Sequence, residues 1–196
     1  QLAVCVQPAA AARGIGLFTS LGVAYSTDAS LSSSDIVGPT CWDTTGNYYY
    51  VYRKNSSSKF VVIKKECNTA VTQWTSADFS ATSGSTYIPL GSAVSGSLVY
   101  VYVRTSGANN YEIWRFNTSD GAVKTSDSSA AWKHANASGG TISGLAQHAD
   151  GATAIGNCLA ASDSSIAILE ITDTSNLYAR IITDITGTGT VGSQVL

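Results

Sequence analysis

The chain has 196 residues, which is enough for one sizeable hydrophobic core but too few for two typical domains. Only 12% of them are charged, against roughly 25% in an ordinary soluble domain, and the net charge is −2. There is no basic run, and no apolar stretch approaches the roughly 20 residues that span a bilayer. These totals argue against nucleic-acid binding and against a membrane span.

The first segment, 1–13, is predicted to be an N-terminal arm. Its "LAVCV" run contains strand-forming residues, and Pro8 then removes a backbone donor. Gln1 fits the residue left after cleavage of a signal peptide. Because an isolated apolar strand is unstable in water, we expect the arm to add a strand to a neighbouring subunit, with docking on its own chain as the alternative.

Three stretches along the chain follow one plan: a strand, a polar turn and a second strand. They are "YYYVYRKNSSSKFVVIKKE" (48–66), "LVYVYVRTSGANNYEIWRF" (98–116) and "TAIGNCLAASDSSIAILEITD" (153–173). Further strands are predicted beside them in "IGLFTSLGVAYS", "STYIPLGSAVSG", "GAVKTS", "GTISGLAQHADG" and "LYARIITDI". The nearly unbroken apolar run "LVYVYVRT" predicts a central strand that is covered on both faces.

The hairpins recur with a period of about 50 residues, which suits one four-stranded unit per repeat. In spacing and alternation the units resemble the blades of β-propellers, without a specific family signature. The resemblance implies an all-β domain over 14–186 with about three repeats of four antiparallel strands, followed by a C-terminal tail at 187–196. A β-sandwich or jelly roll is the alternative, because it also places strands at short, regular intervals.

Four cysteines form an even set without C-x-x-C spacing: Cys5, Cys41, Cys67 and Cys158. In a secreted protein such a set predicts two disulfides. Three connectivities are open, and we favour Cys41–Cys67 because these residues flank one hairpin. That choice leaves Cys5 to pair with Cys158; four buried free thiols are the alternative.

Three N-x-[ST] sequons occur, at Asn55, Asn117 and Asn136. The first is at a hairpin tip, the second ends a hairpin and the third lies in a Gly/Ser-rich linker. A glycan could project from each position without disturbing a core, so glycosylation is predicted if the source is eukaryotic. Ordinary turn asparagines are the alternative.

Exposed tryptophans could stack on a sugar, and the candidates are Trp42, Trp74, Trp114 and Trp132. Packing inside the core is the interpretation that we favour for them.

No catalytic set is recognised in the sequence. There is no nucleophile elbow, phosphate-binding loop, dinucleotide fingerprint or H-E-x-x-H motif. His134 and His148 are interpreted as turn or surface residues, and Glu66, Glu112 and Glu170 recur on hairpin strands without implying a catalytic pair. No cofactor or metal is predicted.

The sequence therefore predicts a non-enzymatic extracellular or cell-surface protein, a self-associating fibre, coat or matrix subunit that forms a homo-oligomer or filament. A lectin-like carbohydrate-binding module, with glycans as partners, is the second hypothesis. A secreted hydrolase is the third.

Overall fold

The computed structural model describes residues 2–6, 14–18, 24–27, 31, 35–54, 56–57, 59–79, 87–105, 110–124, 133–135, 159–171, 177–187 and 189–195. All regular secondary structure in these residues is β-strand, and every strand pairing is antiparallel. The prediction of an all-β fold is confirmed. No helix in the described part of the chain is long and apolar enough to cross a membrane.

The strands form four sheets, and in each sheet consecutive strands are hydrogen-bonded neighbours. The first sheet contains β1 (Leu2–Val6), β2 (Gly14–Phe18) and β3 (Ala24–Thr27). The second contains β4 (Ile36–Trp42), β5 (Asn47–Arg53), β6 (Phe60–Glu66) and β7 (Thr72–Thr75). The third contains β8 (Tyr87–Ser95), β9 (Leu98–Thr105), β10 (Asn110–Asn117) and β11 (Lys133–Ala135). The fourth contains β12 (Leu159–Ala161), β13 (Ser165–Ile171), β14 (Leu177–Thr183) and β15 (Thr190–Val195).

The first two predicted hairpins are present as β5–β6 and β9–β10. In β5–β6, Tyr50 pairs with Ile63, and in β9–β10, Val101 pairs with Trp114. Gly46 and Gly96 precede these hairpins with φ of 89° and 54°, a left-handed backbone that favours glycine. The positions of the turns before β5 and β9 could therefore be predicted from the sequence.

The predicted units differ from the structure in how they begin and end. The stretch "IGLFTSLGVAYS" contributes to β2 and β3 of a separate sheet, and β4 is the strand that precedes the first hairpin. In "GAVKTS", Val123 forms a single bridge to Phe116, whereas β11 supplies the outer strand of the third sheet. The third predicted hairpin becomes β12–β13, the first pair of its sheet, because two more strands pair beyond it.

The predicted arm at 1–13 and the predicted tail at 187–196 both contain strands that pair within the chain. β1 pairs with β2 over its whole length, from Leu2 opposite Phe18 to Val6 opposite Gly14. β15 pairs with β14 as the last strand of the fourth sheet. β1 thus docks on its own chain, the alternative interpretation, because a nearby strand satisfies backbone groups at a small loop-closure cost. A contact of the arm with a neighbouring subunit stays a prediction.

The four sheets follow one another through contacts between their first strands. β1 contacts β4, β4 contacts β8, and β8 contacts β12. Alternate residues of the central strands then fill the space on either side of a sheet. On β9, for example, Val101 packs toward the second sheet and Tyr100 toward the fourth, and both are fully buried. The prediction that this strand is covered on both faces is confirmed.

Three buried clusters make up the described core. One lies between the third and fourth sheets and contains Leu90, Ala93, Leu98, Tyr100, Tyr102, Ile113, Leu159, Ile166, Ile168, Ile182 and Ile185. A second lies between the second and third sheets and contains Cys41, Tyr49, Val51, Phe60, Val62, Phe79, Val99, Val101, Val103 and Phe116. The third lies on the other face of the second sheet and contains Leu31, Val37, Tyr48, Tyr50, Val61, Ile63 and Cys67.

Candidate functional site

Three of the four candidate tryptophans lie in the described residues, and all three pack against the core. Trp42 packs on the cluster around Tyr48, with ring centroids 5.8 Å apart. Trp114 packs on Phe79 at 4.9 Å, and its indole N–H donates to the Glu112 carboxylate at 2.9 Å. Trp132 lies outside the described residues. The half-buried indoles that can be seen are therefore engaged in packing.

Trp74 takes part in a contact that joins the second and third sheets. Its indole N–H donates to the Thr118 carbonyl oxygen at 3.0 Å, and the Lys64 ammonium donates to the same oxygen at 2.9 Å. The ring covers Gly121, where an added Cβ would lie 2.5 Å from the Trp74 ring. This arrangement is structural, because the groups that could recognise a ligand are used between the sheets.

The predicted Cys41–Cys67 disulfide is not formed, and neither residue is in a disulfide. The two cysteines pack in different clusters on opposite faces of the second sheet. β5 lies between β4, which carries Cys41, and β6, which Cys67 follows. Two strand spacings amount to about 10 Å, beyond the roughly 7 Å that a disulfide can bridge between Cα atoms.

Both of these thiols stay protonated at neutral pH. Burial raises the pKa of Cys41 to about 12, against the opposing effect of a hydrogen bond with Ser92. Burial also raises the pKa of Cys67 to about 11. Neither residue is therefore a nucleophile under ordinary conditions, since the thiolate is the reactive form. Cys5 lies on β1, and Cys158 lies outside the described residues.

The other predicted site residues are not brought together in the described structure. Asn117 is half-buried at the end of β10, whereas Asn55, Asn136 and His148 lie outside the described residues. His134 is the middle residue of β11, and Glu170 lies on β13. Glu66 and Glu112 lie in two different sheets, the second and the third. No group of three potential metal-ligating side chains occurs among the residues searched, which are those the structure describes.

Asp43 organises the turn between β4 and β5. One carboxylate oxygen accepts from the backbone N–H groups of Thr45 and Asn47, both at 2.9 Å, and the other accepts from the Tyr49 hydroxyl at 2.8 Å. Partial burial alone would raise the pKa of Asp43. The hydrogen bonds from Asn47, Tyr49 and Thr45 outweigh burial and lower the pKa to about 2.

We expect Asp43→Asn to lower the free energy of unfolding by about 1–2 kcal/mol at pH 7, an estimate reduced for solvent screening. The folded-state pKa lies below the unfolded value, so the carboxylate stabilises the fold above about pH 4 and loses that contribution as the pH falls through about 2. Urea unfolding of both proteins from pH 7 to pH 2 should show their difference shrinking between pH 4 and pH 2. A difference that stays constant would contradict this assignment.

The outer face of the fourth sheet is the surface that faces away from the third sheet. It is defined by strand register. Ala167 pairs with Ile181, Leu169 pairs with Ala179, and Ala179 pairs in turn with Val195. Directly opposed residues of a sheet point to the same side, so these side chains share one face. Ala160, Ser165, Thr183 and Thr190 belong to the same face by register and alternation.

In the described residues this outer face is apolar at its centre, with Ser165, Thr183 and Thr190 in one row at its end. Ile181 is 37% exposed and Val195 is 55% exposed, while Ala167 and Ala179 beside them are half-buried. Leu169 is also half-buried and contacts the cluster between the third and fourth sheets. The register places Arg180 on the opposite face. Single exposed apolar side chains are ordinary in soluble proteins, but a continuous apolar face without charge is typical of an interaction site.

The opposite face of the fourth sheet is covered by the third sheet. Ile166, Ile168 and Ile182 are completely buried against the third sheet. Both faces of β13 and β14 therefore carry apolar residues, and the described residues show the third sheet as the packing partner of one face. Sequence reasoning missed the outer face because it treated 187–196 as a tail and so did not place Val195 beside Ala179. The alternation in "SIAILEI" and "LYARIIT" is the signal that could have revealed it.

Comparison with known proteins gives little further information. No protein-family model matches the chain, and a search of curated proteins found no match. The chain is similar to the crystal structure of TolB from Acinetobacter baumannii, with 15% sequence identity and a TM-score of 0.46. The match covers 98% of this chain and 52% of that one, so the chain spans about half the length of that structure. So distant a likeness assigns no function.

Proposed function

We propose that this protein is a non-enzymatic structural subunit that acts outside the cell, in a surface fibre, coat or matrix, and that it associates with other copies of itself. The proposal includes a propeller-like arrangement in which each of the four sheets is a blade. The observation that carries it is the group of apolar residues on the outer face of the fourth sheet, of which Ile181 and Val195 are exposed.

The composition supports the same function. Charged residues make up 12% of the chain, so few charges are available to keep copies apart by repulsion. Serine and threonine provide much of the polar surface, which is common in extracellular β proteins. In the described residues the buried Cys41 and Cys67 thiols and the hydrogen-bonded Asp43 carboxylate serve the fold.

Two matched substitutions test the proposal. Val195 lies on the outer face and is 55% exposed, and Val71 precedes β7 of the second sheet and is 54% exposed. We expect Val195→Asp to weaken self-association at least about tenfold, because a charge would be buried in an apolar contact, and Val71→Asp to leave it unchanged. Light scattering across a concentration series measures this. Equal association of both variants and the unchanged protein would contradict the proposal.

A further inference from the structure

Tyr49 of β5 is buried between the second and third sheets, and its hydroxyl is bonded to a charged group. The ring is completely buried in the cluster that these two sheets share. The hydroxyl donates to the Oδ2 atom of Asp43 at 2.8 Å. Tyr100 is equally buried, but its hydroxyl donates to the backbone carbonyl oxygen of Ile185 at 3.3 Å. Because a carboxylate is a far better proton acceptor than a carbonyl oxygen, Tyr49 has a base within hydrogen-bond reach.

The Asp43 carboxylate is positioned to receive the phenolic proton and to pass it to water. Asp43 is half-buried, so its carboxylate lies near the surface. The backbone N–H groups of Thr45 and Asn47 hold its Oδ1 atom, which fixes Oδ2 against the Tyr49 hydroxyl. Burial, together with the hydrogen bond and charge of Asp43, raises the pKa of Tyr49 well above its ordinary value. The phenol therefore keeps its proton at neutral pH until an electron is removed from the ring.

Trp74 of β7 is the aromatic neighbour through which Tyr49 can lose an electron. The centroids of the two rings are 5.8 Å apart, at an interplanar angle of 52°. Trp74 is half-buried on a strand whose other residues are exposed, so it connects the buried tyrosine ring to the surface. Tryptophan and tyrosine are the aromatic side chains that are most easily oxidised, and rings at this separation exchange electrons.

The surroundings of the Trp74 N–H prevent an oxidised indole from losing its own proton. The N–H donates to the Thr118 carbonyl oxygen at 3.0 Å, and the Lys64 ammonium donates to the same oxygen at 2.9 Å. A carbonyl oxygen beside an ammonium group is a poor base, so an oxidised Trp74 stays a radical cation and draws an electron from Tyr49. The Lys64 ammonium also lies 5.7 Å from the Tyr49 ring centroid, where it opposes a second positive charge. Transfer of the phenolic proton to Asp43 removes that repulsion.

We propose that Tyr49 is a redox-active tyrosine that is oxidised through Trp74 and gives its proton to Asp43. An outer-sphere one-electron oxidant removes one electron from Trp74. Tyr49 then gives one electron to the indole, its O–H bond breaks, and the proton forms a new bond to Asp43 Oδ2. The oxidant has gained one electron, Trp74 is restored, and Tyr49 is a neutral radical. This site goes beyond the proposed structural role and does not depend on it.

Flash photolysis with a ruthenium tris(bipyridine) complex and excess persulfate, at neutral pH, tests the proposal. Transient absorption and electron paramagnetic resonance distinguish tyrosyl from tryptophan radicals. We expect a tyrosyl radical in the unmodified protein, and we expect Tyr49→Phe to lose most of that signal. Asp43→Asn keeps the shape of the side chain but removes the proton acceptor, so it should lose most of the tyrosyl signal and accumulate tryptophan radical instead. Urea unfolding checks that each variant is folded before irradiation.

Two variants serve as matched controls. Tyr100→Phe removes a buried hydroxyl that donates to a carbonyl oxygen, and Trp42→Phe alters a second aromatic series in which Trp42 and Tyr48 have ring centroids 5.8 Å apart. Both should retain the tyrosyl signal. An undiminished signal in Tyr49→Phe, or loss of the signal in Trp42→Phe, would assign the radical to another residue and overturn the proposal.

The unmodified protein provides a test that does not depend on the folding of any variant. Because the phenolic proton moves with the electron, the tyrosyl radical should form more slowly in heavy water than in light water. Equal rates in the two solvents, or an undiminished signal in Asp43→Asn, would contradict proton transfer to Asp43. Formation of no tyrosyl radical would overturn the redox role of Tyr49 altogether.

Discussion

Replacing Arg115 with methionine is expected to lower the free energy of unfolding by about 3–5 kcal/mol. Arg115 lies on β10 of the third sheet and is completely buried. Its guanidinium donates to the carbonyl oxygens of Ile185 and Gly187, at 3.2 and 2.7 Å, in the turn between β14 and β15. Methionine would fill part of the volume but would leave both carbonyl groups without this donor.

Chemical unfolding at a fixed protein concentration measures the effect, because association would otherwise change the apparent stability. Tyr100→Phe should lower the free energy of unfolding by less, about 1 kcal/mol. It removes only one hydroxyl, which donates to the Ile185 carbonyl oxygen at 3.3 Å. Lys59→Met, at an exposed position, should change stability by less than about 0.5 kcal/mol. An Arg115→Met protein as stable as the Lys59→Met protein would show that this contact does not hold the third and fourth sheets together.

Gly121→Ala is expected to be the second strongly destabilising substitution, at about 2–4 kcal/mol. Gly121 has φ of 72°, and an added Cβ would lie 2.5 Å from the Trp74 ring, so both the backbone and the packing resist the change. The ring cannot move freely, because its N–H is hydrogen-bonded to Thr118.

Gly96→Ala separates these two contributions. Gly96 also has a positive φ, of 54°, but a Cβ there would meet no atom within 4 Å. Gly96→Ala should lower the free energy of unfolding by about 1–2 kcal/mol, which is the backbone contribution alone. Thermal or urea unfolding of the two variants gives the comparison, and equal losses would contradict a packing role for Gly121 against Trp74.

The central hairpins could be predicted from the sequence because their signals are local. In "YYYVYRKNSSSKFVVIKKE" and "LVYVYVRTSGANNYEIWRF" the strand-forming runs flank polar turns, and glycines stand where the backbone must turn. The predicted strand "STYIPLGSAVSG" is likewise present as β8. Each of these elements depends on neighbours that are close in the chain.

The grouping of strands into sheets could not be predicted in the same way. "LAVCV" and "TVGSQV" are uncharged strands near the two ends of the chain, and nothing in their composition shows which edge they join. The prediction of a Cys41–Cys67 disulfide was wrong for a related reason. Flanking one hairpin suggests proximity, but the side of the sheet toward which each residue points depends on its register, and a shift of one residue reverses it.

The candidate surface depends on register even more strongly. The apolar residues of β13 and β14 were visible in the sequence, but their division between a covered and an open face requires the pairing of Ala167 with Ile181 and of Ala179 with Val195.

The most direct test of self-association is the mass of the unmodified protein as its concentration is raised, measured by sedimentation velocity and followed by electron microscopy of the same samples. Self-association of the proposed structural subunit predicts particles heavier than one 20.3 kDa chain that grow with concentration and are visible as assemblies in the micrographs. A single species of one chain at every concentration, with no assembled particles in the micrographs, would contradict it.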